Sequence, residues 1–157
     1  MIKVVVPATS ANMGPGFDTL GVALNLYNTF IFEEIDKGLE IVGCGPKFST
    51  EDNLVYKSFL ETLDKIGYSF KKGIKITIHS TIPISRGLGS SSTCIVAGVM
   101  AANRFAEGHL SKDEMLKIAT EIEGHPDNVA PALFGGVVVS VMEDNKIYYN
   151  EVNVAKG

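Results

Sequence analysis

Between a predicted strand and a predicted helix the chain reads Ile82-Pro83-Ile84-Ser85-Arg86-Gly87-Leu88-Gly89-Ser90-Ser91-Ser92-Thr93. Gly87 and Gly89 allow the backbone to turn tightly and to approach a ligand closely. A run of hydroxyl residues follows where the free N–H groups and the positive end of a helix dipole face outward. This combination is suited to holding phosphate. The hydroxyls could also offer an oxygen to Mg²⁺, which prefers hard oxygen ligands.

The loop differs from two familiar phosphate-binding motifs. It has no lysine at the Walker A position, and Ser92 stands where the dinucleotide fingerprint has its third glycine. The alternative interpretation is a Gly-rich turn into an N-capped helix. Because one serine caps a helix as well as three, the run of hydroxyls favours phosphate binding.

Strand and helix patterns alternate irregularly on both sides of the loop. Strand patterns cover Ile2 to Val6, Leu20 to Ile35 (one strand or two), Leu39 to Val42, Gly73 to Ile82, Val137 to Met142 and Ile147 to Val154. Helical spacing covers Leu54 to Ile66, Ser91 to Ala106, the residues after a capping box at Ser111 to Glu114, and a short helix or turn at Val129 to Phe134. Asp52 is the expected N-cap of the first helix, and Gly67 its expected stop. The order predicts an α+β fold with helices packed on a mostly antiparallel or mixed sheet.

Length and composition narrow the function classes. The chain has 157 residues, 45% of them apolar and 20% charged, with a net charge of −4. These values indicate one folded domain and argue against a disordered chain or a nucleic-acid protein with a basic patch. No apolar run approaches the ~20 residues that span a bilayer. Two cysteines make no disulfide framework, so a reducing cytoplasm is the expected location.

Two further polar clusters stand out. The first reads Pro7-Ala8-Thr9-Ser10-Ala11-Asn12-Met13-Gly14-Pro15-Gly16-Phe17-Asp18 and could present donors and acceptors to a small polar ligand, although an ordinary turn explains much of it. The second, at the junction of two helices, reads Glu121-Ile122-Glu123-Gly124-His125-Pro126-Asp127-Asn128. There Asp127 or Asn128 could simply cap the next helix, and His125 could be a surface residue. The spacing does not show the convergence that a metal site needs.

Taken together, the three clusters resemble the GHMP family of small-molecule kinases, named for galactokinase, homoserine kinase, mevalonate kinase and phosphomevalonate kinase. Pro83 to Ser92 matches the family's Pro-x-x-x-Gly-Leu-Gly-Ser-Ser phosphate loop. Residues 7–18, residues 123–132 and Gly135-Gly136 are most similar to the homoserine kinase branch. The resemblance covers residues 7 to 136.

The resemblance implies a fold and an activity. The fold is that of the family's N-terminal half, an α+β domain similar to the second domain of ribosomal protein S5, with residues 1–157 as the ATP-binding domain. The activity is ATP-dependent phosphorylation of the L-homoserine hydroxyl to O-phospho-L-homoserine, a step toward threonine. A cytoplasmic homodimer without nucleic-acid or membrane partners is expected.

The resemblance also implies a role for each matching position. Asn53 would lie near the adenine, while Ser91 (or Ser90) and Glu123 would hold Mg²⁺. The triphosphate of ATP would lie on the loop residues Pro83, Ile84, Ser85, Arg86, Gly87, Leu88, Gly89, Ser90, Ser91, Ser92 and Thr93. Homoserine would be faced by Asn12, Asp18, His125 and Asn128, with Asp18 suited to pair with its ammonium group.

Asn128 stands where other GHMP kinases place a carboxylate near the attacking hydroxyl. Because a carboxamide is a poor base, catalysis is expected to rest on positioning and charge stabilisation. A loose transition state for phosphoryl transfer tolerates this, since it requires little activation of the nucleophile.

Homoserine kinases are roughly twice as long as this chain, and their C-terminal GHMP domain carries a third Gly-rich motif and the arginines that hold the substrate carboxylate. No part of this chain matches that motif. We therefore expect an N-terminal fragment with weak nucleotide binding, little turnover on its own, and an exposed apolar surface prone to self-association. Alternatives are a GHMP kinase for another small alcohol, a non-enzymatic S5-like binding module, and a half-length protein that assembles with a separate chain.

Overall fold

A computed structural model describes residues 1–154, within which six strands form one mixed sheet that packs with four α-helices. The strands are β1 (Ile2–Ala11), β2 (Leu20–Ile35), β3 (Leu39–Val42), β4 (Gly73–His79), β5 (Val137–Glu143) and β6 (Lys146–Val152). The helices are α1 (Leu54–Ile66), α2 (Ser90–Phe105), α3 (Lys112–Glu123) and α4 (Pro126–Phe134), with a 3₁₀ turn at Pro46–Phe48. The predicted α+β class is confirmed. Residues 155–157 of the predicted domain lie outside the described residues.

The long strand β2 organises the sheet. Phe30 pairs with Val4 of β1 on one side and with Ile78 of β4 on the other, all antiparallel. Toward its start, Gly21 pairs with Ala11 of β1 and with Val138 of β5. Strand β3 adds to β4 in parallel, and β6 adds to β5 antiparallel. Leu20 to Ile35 is thus one strand that touches three others, which settles the choice between one strand and two.

The core lies between the sheet and the helices. Ile74, Ile76 and Ile78 of β4 are buried, whereas the intervening residues are more exposed, as the alternating pattern predicts. The ring of Phe59 on α1 stacks on Phe32 of β2 at 5.7 Å and meets Phe105 of α2 edge-on at 5.4 Å. Each fully buried aromatic or aliphatic side chain contributes about 1.5–3 kcal/mol, so this contact fixes both helices on the sheet.

Strand β1 is longer than the pattern predicted. The prediction ended the strand at Val6 and assigned the following residues to a loop, but β1 continues to Ala11 because Thr9, Ser10 and Ala11 pair with β2. The register shifts between Pro7 and Thr9, as in a β-bulge. The polar loop therefore begins at Asn12 and not at Pro7.

Strand β4 is shorter than predicted and ends at His79 instead of Ile82. The reason is Asn28 of β2, whose side-chain oxygen accepts hydrogen bonds from the amides of Thr81 (2.9 Å) and Ile82 (3.1 Å). These amides are turned toward a side chain, so the chain leaves the sheet and enters the glycine-rich loop.

Of the helix-end signals that the sequence suggests, two are absent from the structure and two are confirmed. Asp52 does not cap α1, since Asn53 is the N-cap and Asp52 instead pairs with Lys57 at 2.6 Å. Neither Asp127 nor Asn128 caps α4, which begins earlier, at Pro126, with His125 as its N-cap. Gly67 ends α1 in the left-handed conformation (φ 75°), and the Ser111–Glu114 capping box opens α3. Within residues 1–154 we find no helix of the length and apolarity that a membrane crossing requires.

Candidate functional site

A cleft of about 570 Å³ lies beside the glycine-rich loop, and all three polar clusters of the sequence contribute to its wall. The loop supplies residues 84–92, the first cluster supplies Ala11 and Asn12, and the last supplies Glu123 and Asn128. The remaining wall is formed by Asn28, Cys44, Phe48, Asn53, Leu54, Ile78, Ser80 and Cys94. Clusters that are far apart in the sequence thus meet at one site.

The glycine-rich loop delivers the first turn of α2 to the cleft. Gly89 is the N-cap residue with a left-handed backbone (φ 63°), and no side chain caps the helix. The first intrahelical bond runs from the Thr93 amide to the Gly89 carbonyl at 3.0 Å. The amides of Ser90, Ser91 and Ser92 precede it and have no partner within the helix, so they remain available to an anion.

The loop is seated directly on β1. The Thr9 amide donates to the Leu88 carbonyl at 3.2 Å. Gly89 lies so close to Thr9 that a Cβ atom on Gly89 would overlap with the Thr9 hydroxyl. Glycine is therefore required at position 89 by both the backbone angle and the space.

Glu123, the last residue of α3, faces the serines of the loop. Its Oε1 atom accepts hydrogen bonds from the hydroxyls of Ser91 (3.0 Å) and Ser92 (3.1 Å). None of the serines caps the helix, so capping does not account for the run of hydroxyls. A carboxylate beside two hydroxyls, next to an anion site, is a set of hard oxygen donors that suits Mg²⁺.

Asn128 on α4 is held by a residue of β1. Its Oδ1 atom accepts a hydrogen bond from the Thr9 hydroxyl at 2.9 Å, and its Nδ2 atom lies 3.4 Å from Oδ1 of Asp127. Strand β2 lies close to the first turn of α4 at Gly21. A Cβ atom on Gly21 would overlap with the Asp127 carbonyl oxygen, so this approach requires glycine.

Asp18, His125 and Asp127 converge beside Asn128. One ligand atom from each of the three lies within 4.8 Å of the other two, and Nδ1 of His125 is 3.2 Å from Oδ1 of Asp127 without the alignment of a hydrogen bond. Asn12 fixes the loop that carries Asp18, because its side-chain oxygen accepts from the Asp18 amide at 2.7 Å. Asp18, His125 and Asp127 are not part of the cleft wall, but they lie beside Asn128, which is, and two carboxylates with an imidazole suit a cationic group.

Asn53 lines the cleft next to the apolar side chains of Phe48 and Leu54. Its Oδ1 atom caps α1 by accepting from the Val55 amide at 2.9 Å, and its Nδ2 atom donates to the Phe48 carbonyl at 2.7 Å. Asn53 thereby ties the Pro46–Phe48 turn to the start of α1. Burial raises the pKa of the nearby Cys94 thiol to about 11, so this thiol stays protonated at neutral pH.

Two residues of the predicted phosphate segment do not line the cleft. Thr93 is fully buried, and its hydroxyl donates to the Ser90 carbonyl at 2.8 Å and accepts from Asn28 Nδ2 at 3.2 Å. Pro83 precedes the part of the loop that forms the wall. Both residues therefore shape the loop without lining the cleft.

Three residues that organise the cleft are not among the site residues predicted from the sequence. Asn28 shapes the entry to the loop, Thr9 holds Asn128, and Asp127 is buried among the polar side chains. Nothing in the local pattern singles out Asn28, because β2 also carries Asn25 and Thr29. Thr9 and Asp127 stood inside clusters already noted, with no feature that separated them from turn residues.

Comparison with known protein families matches residues 53–136 to the N-terminal domain of GHMP kinases, which is more than half of the chain. The chain belongs to the GHMP kinase family. The matched segment begins at Asn53 and contains the loop, Glu123 and Asn128.

Among GHMP kinases, the chain is 57% identical over 155 residues to a homoserine kinase of Clostridium botulinum (strain Alaska E43 / Type E3) and 56% identical over 158 residues to that of Clostridium beijerinckii. These matches cover 98% and 100% of this chain but only 52% and 53% of the relatives. A crystal structure of homoserine kinase from Cytophaga hutchinsonii superposes with a TM-score of 0.83 at 35% identity, over 98% of this chain and 52% of that one. The chain spans about half the length of the curated relatives it matches.

Proposed function

We propose that this chain is the nucleotide-binding domain of a kinase that transfers the γ-phosphoryl group of ATP to the side-chain hydroxyl of L-homoserine. One observation carries the proposal. The phosphate-suited amides of Ser90 to Ser92 and the side chain of Asn128 line one cleft, and the cation-suited group of Asp18, His125 and Asp127 lies directly beside Asn128. An amino acid with an ammonium group at one end and a hydroxyl at the other fits between them.

The loop would hold the triphosphate. The free amides of the first turn of α2 would donate to phosphate oxygens, and the positive end of the helix dipole would favour their charge. Arg86, which lies in the loop wall, adds a guanidinium that can bind phosphate. The apolar end of the cleft, near Phe48 and Leu54, would take the base.

Glu123, Ser91 and Ser92 would hold Mg²⁺ beside the phosphates. When bound, the ion would neutralise phosphate charge and orient the terminal phosphoryl group. The hydroxyls of both serines point at Glu123, so the donor set is held together by the fold itself.

Homoserine would bind with its ammonium group against Asp18. The substrate oxygen would then form a bond to the γ-phosphorus while the bond from that phosphorus to the leaving ADP oxygen breaks, and the hydroxyl proton would pass to phosphate or solvent. Asn128 would hold the reacting oxygens in line and not remove the proton. The energetic advantage is orientation, which a loose transition state uses fully.

The same proposal includes the rest of the enzyme. The relatives are about twice as long, and we propose that residues 1–157 correspond to their N-terminal domain, with the second GHMP domain completing the walls of the cleft. We further propose that the enzyme is cytoplasmic and that it is a homodimer. Light scattering on the purified enzyme would test the dimer.

An assay of substrate choice tests the activity. The protein is produced at gene length, meaning the complete product of its gene, and ADP release is measured with ATP, Mg²⁺ and one of L-homoserine, mevalonate or galactose. Of the three alcohols, we expect only L-homoserine to be phosphorylated by the gene-length protein. The isolated 157-residue chain should show little turnover. Preference for another alcohol would replace homoserine by a different GHMP substrate, and the absence of turnover with any of them would reject the kinase activity.

A further inference from the structure

Thr9 connects the two halves of the site without lining the cleft. It is fully buried and sits directly after the register shift of β1. Its amide donates to the Leu88 carbonyl at 3.2 Å, its side chain packs against Gly89, and its hydroxyl donates to Asn128 Oδ1 at 2.9 Å. One residue thus contacts both the phosphate loop and the carboxamide beside the cation-suited cluster.

The hydroxyl contact fixes which end of the Asn128 carboxamide meets a ligand. A threonine hydroxyl has a single proton, and here that proton is directed at the Asn128 oxygen. The Nδ2 end is held on the other side by Oδ1 of Asp127 at 3.4 Å. A carboxamide nitrogen has two N–H groups, so one is left over from the Asp127 contact, while the oxygen is turned toward Thr9.

We propose that Thr9 is a positioning residue for phosphoryl transfer, which fixes the Asn128 carboxamide so that it acts as a hydrogen-bond donor to the reacting oxygens. The inference rests on the proposed function. A donor stabilises negative charge on oxygen and cannot accept the proton of the substrate hydroxyl. This assigns Asn128 a direction that the presence of an asparagine alone does not specify.

The second contact of Thr9 makes the positioning more exact. Because its backbone holds Leu88 and its side chain supports Gly89, Thr9 sets the distance between the phosphate loop and Asn128. Errors of about 1 Å between reacting groups can cost about a hundredfold in rate. A partly buried hydrogen bond spanning 119 positions of the sequence is suited to keep that spacing.

Two substitutions separate the hydroxyl from the packing. Thr9→Val keeps the branched shape beneath Gly89 and removes the hydroxyl, whereas Thr9→Ser keeps the hydroxyl and removes a methyl group. Thr77→Val applies the same chemical change on β4, away from the site, and serves as the control. All three are made in the gene-length protein and assayed with ATP and L-homoserine.

We expect Thr9→Val to lower kcat about tenfold, with KM for ATP and for L-homoserine changed less than about threefold, since one hydrogen bond is lost. Thr9→Ser should keep at least about half of the wild-type kcat, and Thr77→Val should match the wild type. A wild-type kcat in Thr9→Val, or equal losses in the serine and valine variants, would overturn the positioning role and leave the kinase activity standing. A wild-type enzyme inactive on homoserine would instead remove the proposed function, and this inference with it.

A second measurement does not depend on turnover. In the unliganded 157-residue chain, the side-chain amide protons of Asn128 are observed by ¹⁵N-edited NMR. Thr9→Val should shift these two resonances more than any other asparagine side-chain amide, and Thr9→Ser should leave them near their wild-type positions. Unchanged Asn128 resonances in folded Thr9→Val would show that the hydroxyl does not set the carboxamide, which also overturns the inference.

Discussion

The Ser91 hydroxyl donates to Oε1 of Glu123 at 3.0 Å, although 32 positions separate the two residues in the sequence. The contact joins the first turn of α2 to the last residue of α3. It directs a carboxylate at the point where the helix amides favour an anion, an arrangement that is electrostatically unfavourable unless a cation lies between the carboxylate and a bound phosphate. Under the proposed function, Mg²⁺ bound together with the nucleotide would provide that cation.

Glu123→Gln should therefore weaken Mg²⁺-dependent nucleotide binding. Glutamine retains an oxygen that can accept from Ser91 and Ser92 but has no charge for the ion. We expect the tightening of ATP binding by Mg²⁺, measured by calorimetry on the gene-length protein, to fall by about tenfold or more. Glu121→Gln on the same helix breaks only an exposed ion pair with Lys65 and should leave the tightening of ATP binding by Mg²⁺ unchanged. Equal Mg²⁺ dependence in both variants would argue against a metal role for Glu123.

Asn128→Ala should lower turnover at saturating substrates. The variant removes the N–H donor and leaves the Thr9 hydroxyl without its acceptor. By comparison with other stabilising donors, kcat should fall by about a hundredfold, measured as ADP release with ATP and L-homoserine both saturating. An unchanged kcat would exclude a part for Asn128 in the chemical step.

Gly89→Ala should destabilise the 157-residue chain more than Gly87→Ala. Both glycines have left-handed backbones, with φ of 63° and 69°, so an alanine at either position costs about 1–2 kcal/mol. A Cβ atom at position 89 also overlaps with the Thr9 hydroxyl, whereas the space around position 87 is open. Overpacking adds about 1–3 kcal/mol. Urea unfolding should show this gap, and equal losses would mean that the loop is not seated on β1.

Two substitutions at Asn53 distinguish its role as the cap of α1 from its role in holding the cleft wall at Phe48. Asn53→Ser keeps a side-chain acceptor for the Val55 amide but cannot reach the Phe48 carbonyl, so unfolding free energy should fall by about 1 kcal/mol. Asn53→Ala loses the cap as well, for about 1 kcal/mol more. Nucleotide affinity should fall equally in both, because both release the Pro46–Phe48 turn. If only the alanine variant binds nucleotide less tightly, the Phe48 tether has no part in binding.

The sequence was sufficient for features that depend on near neighbours in the chain. The alternation of β4 and the capping box at Ser111 were predicted correctly because side-chain period and capping are local properties. The end of β1 was not, since Pro7 and the small polar residues after it have the composition of a turn. Pairing with β2 overrides that preference, and the pairing is visible only in three dimensions.

For the site as well, local features could be predicted from the sequence and long-range contacts could not. Its three polar clusters could be found because each is continuous in the sequence, and the family resemblance supplied roles for them. Their convergence could not be derived from spacing, because it depends on the close approach of Gly21 to α4 and on the contact of Thr9 with Asn128. Residues whose partners lie far away in the chain, such as Asn28, had no local pattern that indicated a role.

The last prediction concerns Cys94 and alkaline pH. Burial raises the pKa of its thiol from 9.0 to about 11, so between these values the unfolded chain has released the proton while the folded chain keeps it. The folded state then binds more protons, and stability must fall as pH rises. The contribution is complete below about pH 9 and is lost by about pH 11, and at about pH 10.5 it amounts to a loss of about 2 kcal/mol.

Cys94→Ala isolates this effect from other groups. The hydrogen bond to Asp113 raises the pKa of the Tyr149 phenol to about 12, so this group also lowers the free energy of unfolding at high pH. It does so equally in the wild-type chain and in Cys94→Ala. Alanine removes the thiol, so the difference in unfolding free energy between the wild-type chain and Cys94→Ala should shift by about 2 kcal/mol in favour of the variant from about pH 8 to about pH 10.5. Urea unfolding at both pH values measures it. A difference that does not change with pH would show that the thiol titrates normally and that this wall of the cleft admits water.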